Sequence, residues 1–208
     1  TKNKKRITEK STPKYGESKA KRSYGTLDCL MTEGAEGCSI SKICERANVS
    51  IGLVNYHFNS IHELMAATYR QLAISVLNNA VDKCAHYEAD PRLQLSVYLD
   101  TIFSAEVMLR RTLRAWIVFW GMIDSSELVR RVHDETNRSS WTFLEDIFLR
   151  LDQSNQIKLS PRMAAIGLSA MVDGLWLEKC LQPETFTASE AICLCDFWID
   201  SITLQTTS

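Results

Sequence analysis

The segment SISKICERANVSIGLVNYHFNSIHEL, residues 39–64, contains two short amphipathic helices joined by a tight turn, and then the capped start of a third helix. Ser39 is placed to cap the first helix, whose apolar residues recur at helical spacing. Asn48 ends this helix, because Asn tolerates the left-handed backbone that such a turn requires. Ser50 is placed to cap a second helix from Ile51 to about His57. The pattern is typical of a helix-turn-helix unit, whose second helix lies in the DNA major groove.

The outer face of this second helix supplies the candidate DNA contacts. We expect Val49 to fill the turn from inside, and Leu53 and Phe58 to point inward, so that the opposite side is free for base edges and phosphates. Spacing alone also fits a purely structural helical hairpin. The predicted DNA-contacting residues are Ser39, Lys42, Ser50, Ile51, Gly52, Asn55, Tyr56, His57 and His62.

The run ANVSIGLVNYHFNSIHEL resembles the amino-terminal domain of TetR-family repressors, which typically read AGVSxGxxYxHFxSKxxL. Asn55 stands where many members carry Tyr, so the resemblance assigns the groove and phosphate contacts to Tyr56 and His57. Ile61 occupies the usual Lys position, which removes one expected phosphate contact. His62 and the free amides at that helix start are expected to replace it in part. The matching residues are Ala47, Val49, Ser50, Gly52, His57, Phe58, Ser60 and Leu64.

Charge divides the chain into a basic front and an acidic remainder. Residues 1–70 hold 12 Lys and Arg against 7 Asp and Glu, whereas the rest holds 12 against 18. A basic DNA-binding segment lowers the electrostatic cost of approaching DNA. Residues 1–16 are predicted to be a flexible basic tail that either reaches DNA or is simply solvated. We expect a helix-turn-helix domain over 17–66, and a ligand-binding and dimerisation domain over 67–208.

Helical periodicity, with few Gly and Pro, predicts an all-α fold of about nine helices. The first helix is expected over about 17–33, the fourth to reach about Tyr87, and another to span about 109–123. Later helices are expected to end near Leu151 and Leu181. The predicted helix starts are Ser60 with Glu63, Asp90 before Pro91, Asp124 with Glu127, Ser160 before Pro161, and Thr187 with Glu190.

Several classes of protein are disfavoured by composition. The longest apolar run, residues 115–123, has nine residues, too few for a membrane span, and the basic start leads into no signal peptide. We therefore expect a cytoplasmic protein. The seven Cys are odd in number and lack metal spacing, which predicts reduced thiols and neither metal nor cofactor. His86 and His133 are isolated and expected to be solvated, and no nucleophile lies beside a base, so no enzyme is predicted.

Apolar stripes on the last two helices predict an oligomer interface, with an internal core face as the alternative. The TetR resemblance implies that two such helices from each subunit form a four-helix dimer bundle. Two-fold symmetry would supply a second DNA half-site. The stripes are Met163, Ile166, Ala170, Met171, Gly174 and Leu175 on one helix, and Ile192, Cys195, Ile199 and Ile202 on the other.

Two carboxy-terminal segments, RAWIVFWGMI at 114–123 and MVDGLWLEKCL at 171–181, resemble the BetI-like subfamily, where KAWLAFW and LIDGLWL occur. That subfamily is associated with choline-to-glycine-betaine genes. Indole faces attract quaternary ammonium groups, and Asp173 or Glu178 is placed to supply the counter-charge. The alternative is core packing alone. The predicted ligand-binding residues are Trp116, Phe119, Trp120, Asp173 and Trp176.

Together these patterns predict a ligand-responsive DNA-binding repressor, acting as a homodimer on a palindromic operator. Its expected effector is choline or another quaternary ammonium. Two alternatives stay open: a TetR-type regulator with a neutral or hydrophobic ligand, and a helical adaptor that binds protein instead of DNA.

Overall fold

The computed structural model describes residues 25–30, 32–33, 39–48, 50–152 and 157–203. Within these ranges the chain is helical, and an isolated antiparallel bridge joins Ile157 to Thr203. This confirms the predicted all-α class. The basic tail, the turn residue Val49 and the side chain of Leu53 lie outside the described part of the chain.

The first helix, α1, is described over residues 25–30 and 32–33. The following helices are α2 Ile40–Ala47, α3 Ile51–His57, α4 Ile61–Cys84, which continues into a 3-10 turn Ala85–Tyr87, α5 Pro91–Ile102, α6 Arg110–Gly121, α7 Glu127–Asp152, α8 Pro161–Leu181 and α9 Ala188–Ile202.

Most predicted helix ends are confirmed, because caps are local hydrogen bonds. The Ser39 hydroxyl accepts from the Lys42 amide, and Asn48 ends α2 in the left-handed region with φ 51°. Asp90 caps α5 and Ser160 caps α8. Thr187 and Glu190 form the complete capping box of α9.

Two caps differ from the prediction. The Glu63 carboxylate accepts from the Asn59 amide, one residue before the Ser60 cap. At the start of α7, Ser126 accepts from the Val129 amide, whereas Asp124 was expected to be the cap. The Asp124 carboxylate instead pairs with Arg130 at 2.8 Å. At the start of α4 the Asn59 amide takes the Glu63 carboxylate, whereas Asp124 lies two residues before the cap position of α7, which Ser126 occupies.

The described chain has two apolar cores joined by α4. The smaller core, which we call the head core, consists of Cys29, Ile43, Cys44, Val54, Phe58 and Leu64. The larger body core is built where α4 packs along α5 and α7, α7 along α8, and α6 against α8. Ile61, at the start of α4, packs against both cores. It therefore has a packing role at the position where the family resemblance led us to expect a phosphate contact.

The interface stripe predicted on α9 is wrong. Cys195 and Ile199 are fully buried and Ile202 is nearly so, because this side of α9 packs against α5 and α8. The exposed apolar residues of α9 are instead Leu194 and Phe197. A strict helical stripe reveals which residues share a face, but it does not say whether that face turns toward the subunit's own core.

Candidate nucleic-acid interface and effector cavity

Helix α3 presents an exposed face opposite its contacts with the head core. Val54 and Phe58 are buried, whereas Tyr56 is 80% exposed and Ile51 46% exposed. Gly52 and Asn55 are exposed on the same short helix, and His57 is half-buried. A Cβ added at Gly52 would meet no atom within 4 Å, so the fold does not require glycine there. The missing side chain leaves room for another molecule to approach the α3 backbone.

Helix α2 is tied to α1 by a cluster of ion pairs. The Lys42 ammonium pairs with Glu33, and the Arg46 guanidinium bridges Asp28 and Glu33. Hydrogen bonds from Lys42 and then Arg46 hold the pKa of Glu33 below its usual range. Lys42, a predicted DNA contact, is thus already paired within the head. Sequence reasoning missed this cluster, because its acidic partners lie on a different helix.

The remaining predicted DNA contacts lie on the surface of the head. Ser39, Ser50 and His62 are exposed. The Ser39 oxygen is used as a cap acceptor, which leaves its O–H free to donate. Aromatic contact orients two of the α3 residues, since the rings of Tyr56 and His57 meet edge to face at 5.1 Å.

A cavity of about 80 Å³ lies in the body and is lined by residues of α4, α5, α6, α7 and α8. At roughly 10 to 15 Å³ for each enclosed water, this volume admits a small organic molecule. Its aromatic lining consists of Tyr69, Tyr98, Trp116, Trp120 and Trp176. Its polar lining consists of His133, Thr136, Asn137, Ser140, Ser169 and Asp173.

The tryptophans predicted to bind a ligand meet at one wall of this cavity. The Trp116 ring centroid lies 5.4 Å from that of Trp176 and 6.1 Å from that of Trp120. The Trp176 indole N–H donates to the Ile102 carbonyl at 3.3 Å, which fixes that ring. Phe119, the remaining predicted ligand-binding residue, is not part of the lining; it is fully buried, and its ring stacks on that of Tyr69 at 4.9 Å.

Asp173 is the one carboxylate of the cavity lining, and no Lys or Arg lines it. In the described part of the chain no basic side chain lies within ion-pair distance of Asp173. Burial raises the pKa of Asp173 to about 6, so the group is mostly ionised at neutral pH. Glu178, the alternative counter-charge, is exposed on α8 and lies outside the lining. The cavity therefore combines aromatic faces with an uncompensated negative charge.

His133 was expected to be solvated, and this is wrong. It is half-buried, and its Nδ1 lies 2.8 Å from the Tyr69 hydroxyl. Burial lowers the pKa of His133, which favours the neutral imidazole. Burial also raises the pKa of Tyr69 and of Tyr98 above their ordinary values. Sequence reasoning gave no signal for Tyr69 or Tyr98, since single aromatic residues on helices are usually core.

The outer surface of α8 and α9 carries exposed apolar side chains. Phe197 is 75% exposed and Leu181 63% exposed. Ala170 and Gly174, from the predicted α8 stripe, are exposed along the same helix. Met163, Leu177 and Leu194 add further exposed apolar surface. These side chains make the outer surface of α8 and α9 a candidate interaction surface.

None of the described helices combines the length and apolar character needed to cross a membrane. Across the same residues, no three His, Cys, Asp or Glu side chains are grouped in a way that could hold a metal ion.

A helix-turn-helix head joined to an all-helical body with a cavity is the architecture of ligand-responsive regulators. The comparison with known proteins supports the same class. Residues 25–68 match the model of bacterial regulatory proteins of the tetR family. Residues 91–204 match the carboxy-terminal model of BetI-type transcriptional repressors.

Among known relatives, the HTH-type transcriptional regulator BetI of Ectopseudomonas mendocina is 30% identical over 86% of this chain and 91% of its own length. A crystal structure of a transcriptional regulator from Pseudomonas aeruginosa PAO1 superposes with a TM-score of 0.81 at 34% identity, covering 89% of this chain and 90% of that one. A transcriptional regulator from Saccharomonospora viridis, solved in complex with choline, has a TM-score of 0.79 at 16% identity, covering 91% and 100%. The chain belongs to the TetR family of bacterial regulatory proteins and is a BetI-type transcriptional repressor.

Proposed function

We propose that the chain acts as a homodimer that binds a palindromic operator and releases it when a small organic cation, such as choline, enters the body cavity. The observation that carries this proposal is the carboxylate of Asp173, which faces an aromatic cavity without a basic partner among the described residues. A carboxylate buried without a partner is costly, and a bound cation would offset that cost.

The chemistry of the cavity favours a quaternary ammonium over a neutral ligand. Trp116, Trp120 and Trp176 offer aromatic surface, which attracts such a cation by about 0.5 to 2 kcal/mol per ring. The choline complex of the Saccharomonospora viridis protein supports this choice, since that protein shares the fold. In this proposal the ligand is bound and released unchanged, and the protein acts where bacterial DNA lies, in the cytoplasm.

The proposed DNA contacts come from the head, residues 17–66. Tyr56 and Ile51 project from α3, and Gly52 permits close approach. An α3 face of seven residues reads few bases, so a second copy one DNA turn away is needed for a specific site. We propose that the two copies contact each other through the exposed face of α8 and α9, which belongs to the body over 67–208. A two-fold arrangement would bury Phe197 and Leu181 of both subunits.

Release follows if the ligand prefers one of two conformations of the dimer. A ligand that binds more tightly to the state with mismatched heads shifts the population away from the operator-bound state. The factor by which it weakens operator binding cannot exceed the ratio of its affinities for the two states.

Calorimetry with a matched pair of ligands tests the effector. Choline and 3,3-dimethyl-1-butanol have the same shape, but only choline carries a charge. We expect choline to bind at least tenfold more tightly than the neutral alcohol. Equal or tighter binding of the alcohol would instead support a neutral ligand. If choline, betaine aldehyde and glycine betaine all fail to bind at millimolar concentration, the cationic effector is wrong.

Operator binding is tested separately by a mobility shift with duplex DNA at two salt concentrations. Phosphate contacts predict affinity that falls steeply with salt. A protein-binding adaptor would show no specific shift at either concentration.

A further inference from the structure

Helix α4 belongs to the head and to the body at once. Leu64 is part of the head core, whereas Tyr69 is part of the body core and lines the cavity. Five residues separate them, which is about 7.5 Å along a helix axis. Any displacement of α4 at Tyr69 is therefore carried directly to the packing of the head.

Tyr69 joins α4 to two other helices. Its ring is 1% exposed and stacks on Phe119 of α6 at 4.9 Å, with 17° between the planes. Its hydroxyl lies 2.8 Å from Nδ1 of His133 on α7. An interaction with the Trp120 side chain of α6 offsets part of the rise that burial causes in the pKa of Tyr69.

Donor chemistry fixes the direction of these contacts. The side-chain amide nitrogen of Asn137 only donates, so Nε2 of His133, 3.4 Å away, is its acceptor. The imidazole then carries its proton on Nδ1, which donates to the Tyr69 oxygen. Burial favours the neutral imidazole that this arrangement requires. The resulting chain of contacts links α4 to α7, and each of its three side chains lines the cavity.

We propose that Tyr69 is the positioning residue through which the occupied cavity acts on the reading head. Its hydroxyl holds α4 against α7, and a ligand pressing on the cavity wall shifts this hydrogen bond and with it α4. The ligand-dependent part of this inference rests on the proposed function; the role of the bond in orienting α4 does not.

A second link between the same helices is weaker. Arg70 pairs with Glu135 of α7 at 2.6 Å, but both side chains are substantially exposed. Solvent and salt screen such a pair, so it holds α4 less firmly than the buried bond of Tyr69.

The test is operator affinity of the Tyr69→Phe variant without ligand. Phe keeps the ring stacked on Phe119 and removes only the hydroxyl. Two heads bind two half-sites only when their spacing is defined, so a loosened α4 should weaken operator binding at least fivefold. Tyr87→Phe is the matched control, since it makes the same change just beyond α4 on an exposed side chain outside the cavity lining. An equal change in both variants, or none in Tyr69→Phe, overturns the proposal.

A double-mutant cycle isolates the bond from any general effect on packing. In a His133→Leu background the hydrogen-bond partner of Tyr69 is already gone, so Tyr69→Phe should change operator affinity less than twofold. An undiminished effect would show that the hydroxyl acts elsewhere. If Tyr69→Phe folds poorly by thermal melting, His133→Leu alone supplies the same test from the other side of the bond.

Measurements with and without choline distinguish the role of Tyr69 from the identity of the effector. Calorimetry on the unmodified protein decides whether choline binds, while the ligand-free measurements decide the role of Tyr69. Where choline binds, the ratio of operator affinities without and with saturating choline should fall at least threefold in Tyr69→Phe. An unchanged ratio would overturn the coupling role even if choline is the effector.

Discussion

Replacing Asp173 with Asn is expected to stabilise the protein and to remove its affinity for organic cations. Burial raises the pKa of Asp173 from its ordinary 3.8 to about 6. A carboxyl with a higher pKa in the folded chain favours folding at low pH, and this contribution is lost as the pH rises through the folded-state pKa. At about 1.4 kcal/mol for each tenfold change in the ionisation constant, ionised Asp173 destabilises the fold by about 3 kcal/mol at pH 7.5.

The stability gain of Asp173→Asn should therefore depend on pH. We expect about 3 kcal/mol at pH 7.5 and about 1 kcal/mol at pH 4.5, because the carboxyl of the folded wild type is then mostly protonated. Urea unfolding at both values, at one fixed protein concentration, measures the difference. Glu178→Gln is the matched control, since this carboxylate is exposed on the same helix. A variant less stable than wild type at pH 7.5, or a gain independent of pH, would refute the reasoning.

The same carboxylate predicts how cation binding depends on pH. Choline affinity of the wild type should fall about tenfold between pH 7.5 and pH 5, as Asp173 becomes protonated. Calorimetry at the two values measures this fall, and Asp173→Asn should show weak binding at both. If the wild-type affinity does not change with pH, Asp173 is not the counter-charge.

Three further substitutions test the head, the outer face and the packing of α8 on α9. Tyr56→Ala should weaken operator binding by about 1 to 3 kcal/mol. Its melting temperature should not change, because the Tyr56 side chain is exposed. Equal operator affinity of variant and wild type in a mobility shift would exclude Tyr56 as a DNA contact. Phe197→Glu should place a charge in the proposed dimer interface and raise the dimer dissociation constant at least tenfold by sedimentation, and an unaltered constant would place the interface elsewhere. Gly167→Ala should lower the free energy of unfolding in urea by about 1 to 3 kcal/mol, since its Cβ would lie 2.7 Å from the Trp198 ring. Gly121→Ala is the control and should not destabilise the protein, because its Cβ would meet no atom within 4 Å. Similar losses in both variants would contradict this account.

The candidate cavity could be predicted only in part. Trp116 and Trp120 are four residues apart, so helical geometry alone places them on one face. That Trp176 and Asp173 approach the same point depends on how α8 packs against α6, which the periodicity of either helix does not determine. Tyr69 and His133 are 64 positions apart and gave no local signal of their contact. The ligand-binding role of the cavity residues stays a prediction.

Features governed by neighbours in the chain were determined by the sequence itself. The caps at Ser39, Asp90 and Thr187 form hydrogen bonds to amides three residues away, so residue type and position suffice to predict them. The left-handed Asn48 follows from the same local preferences.

Tertiary structure decided which surfaces became core. The α9 stripe through Cys195 turned toward α5 and α8, and Phe197 was left outside, because burial depends on which helices come together and not on the period of one helix. It likewise placed Asp173 in an aromatic cavity without a basic partner among the described residues, and so set its pKa. Hydrogen bonds within one turn are encoded locally, whereas burial and electrostatic environment are properties of the packed chain.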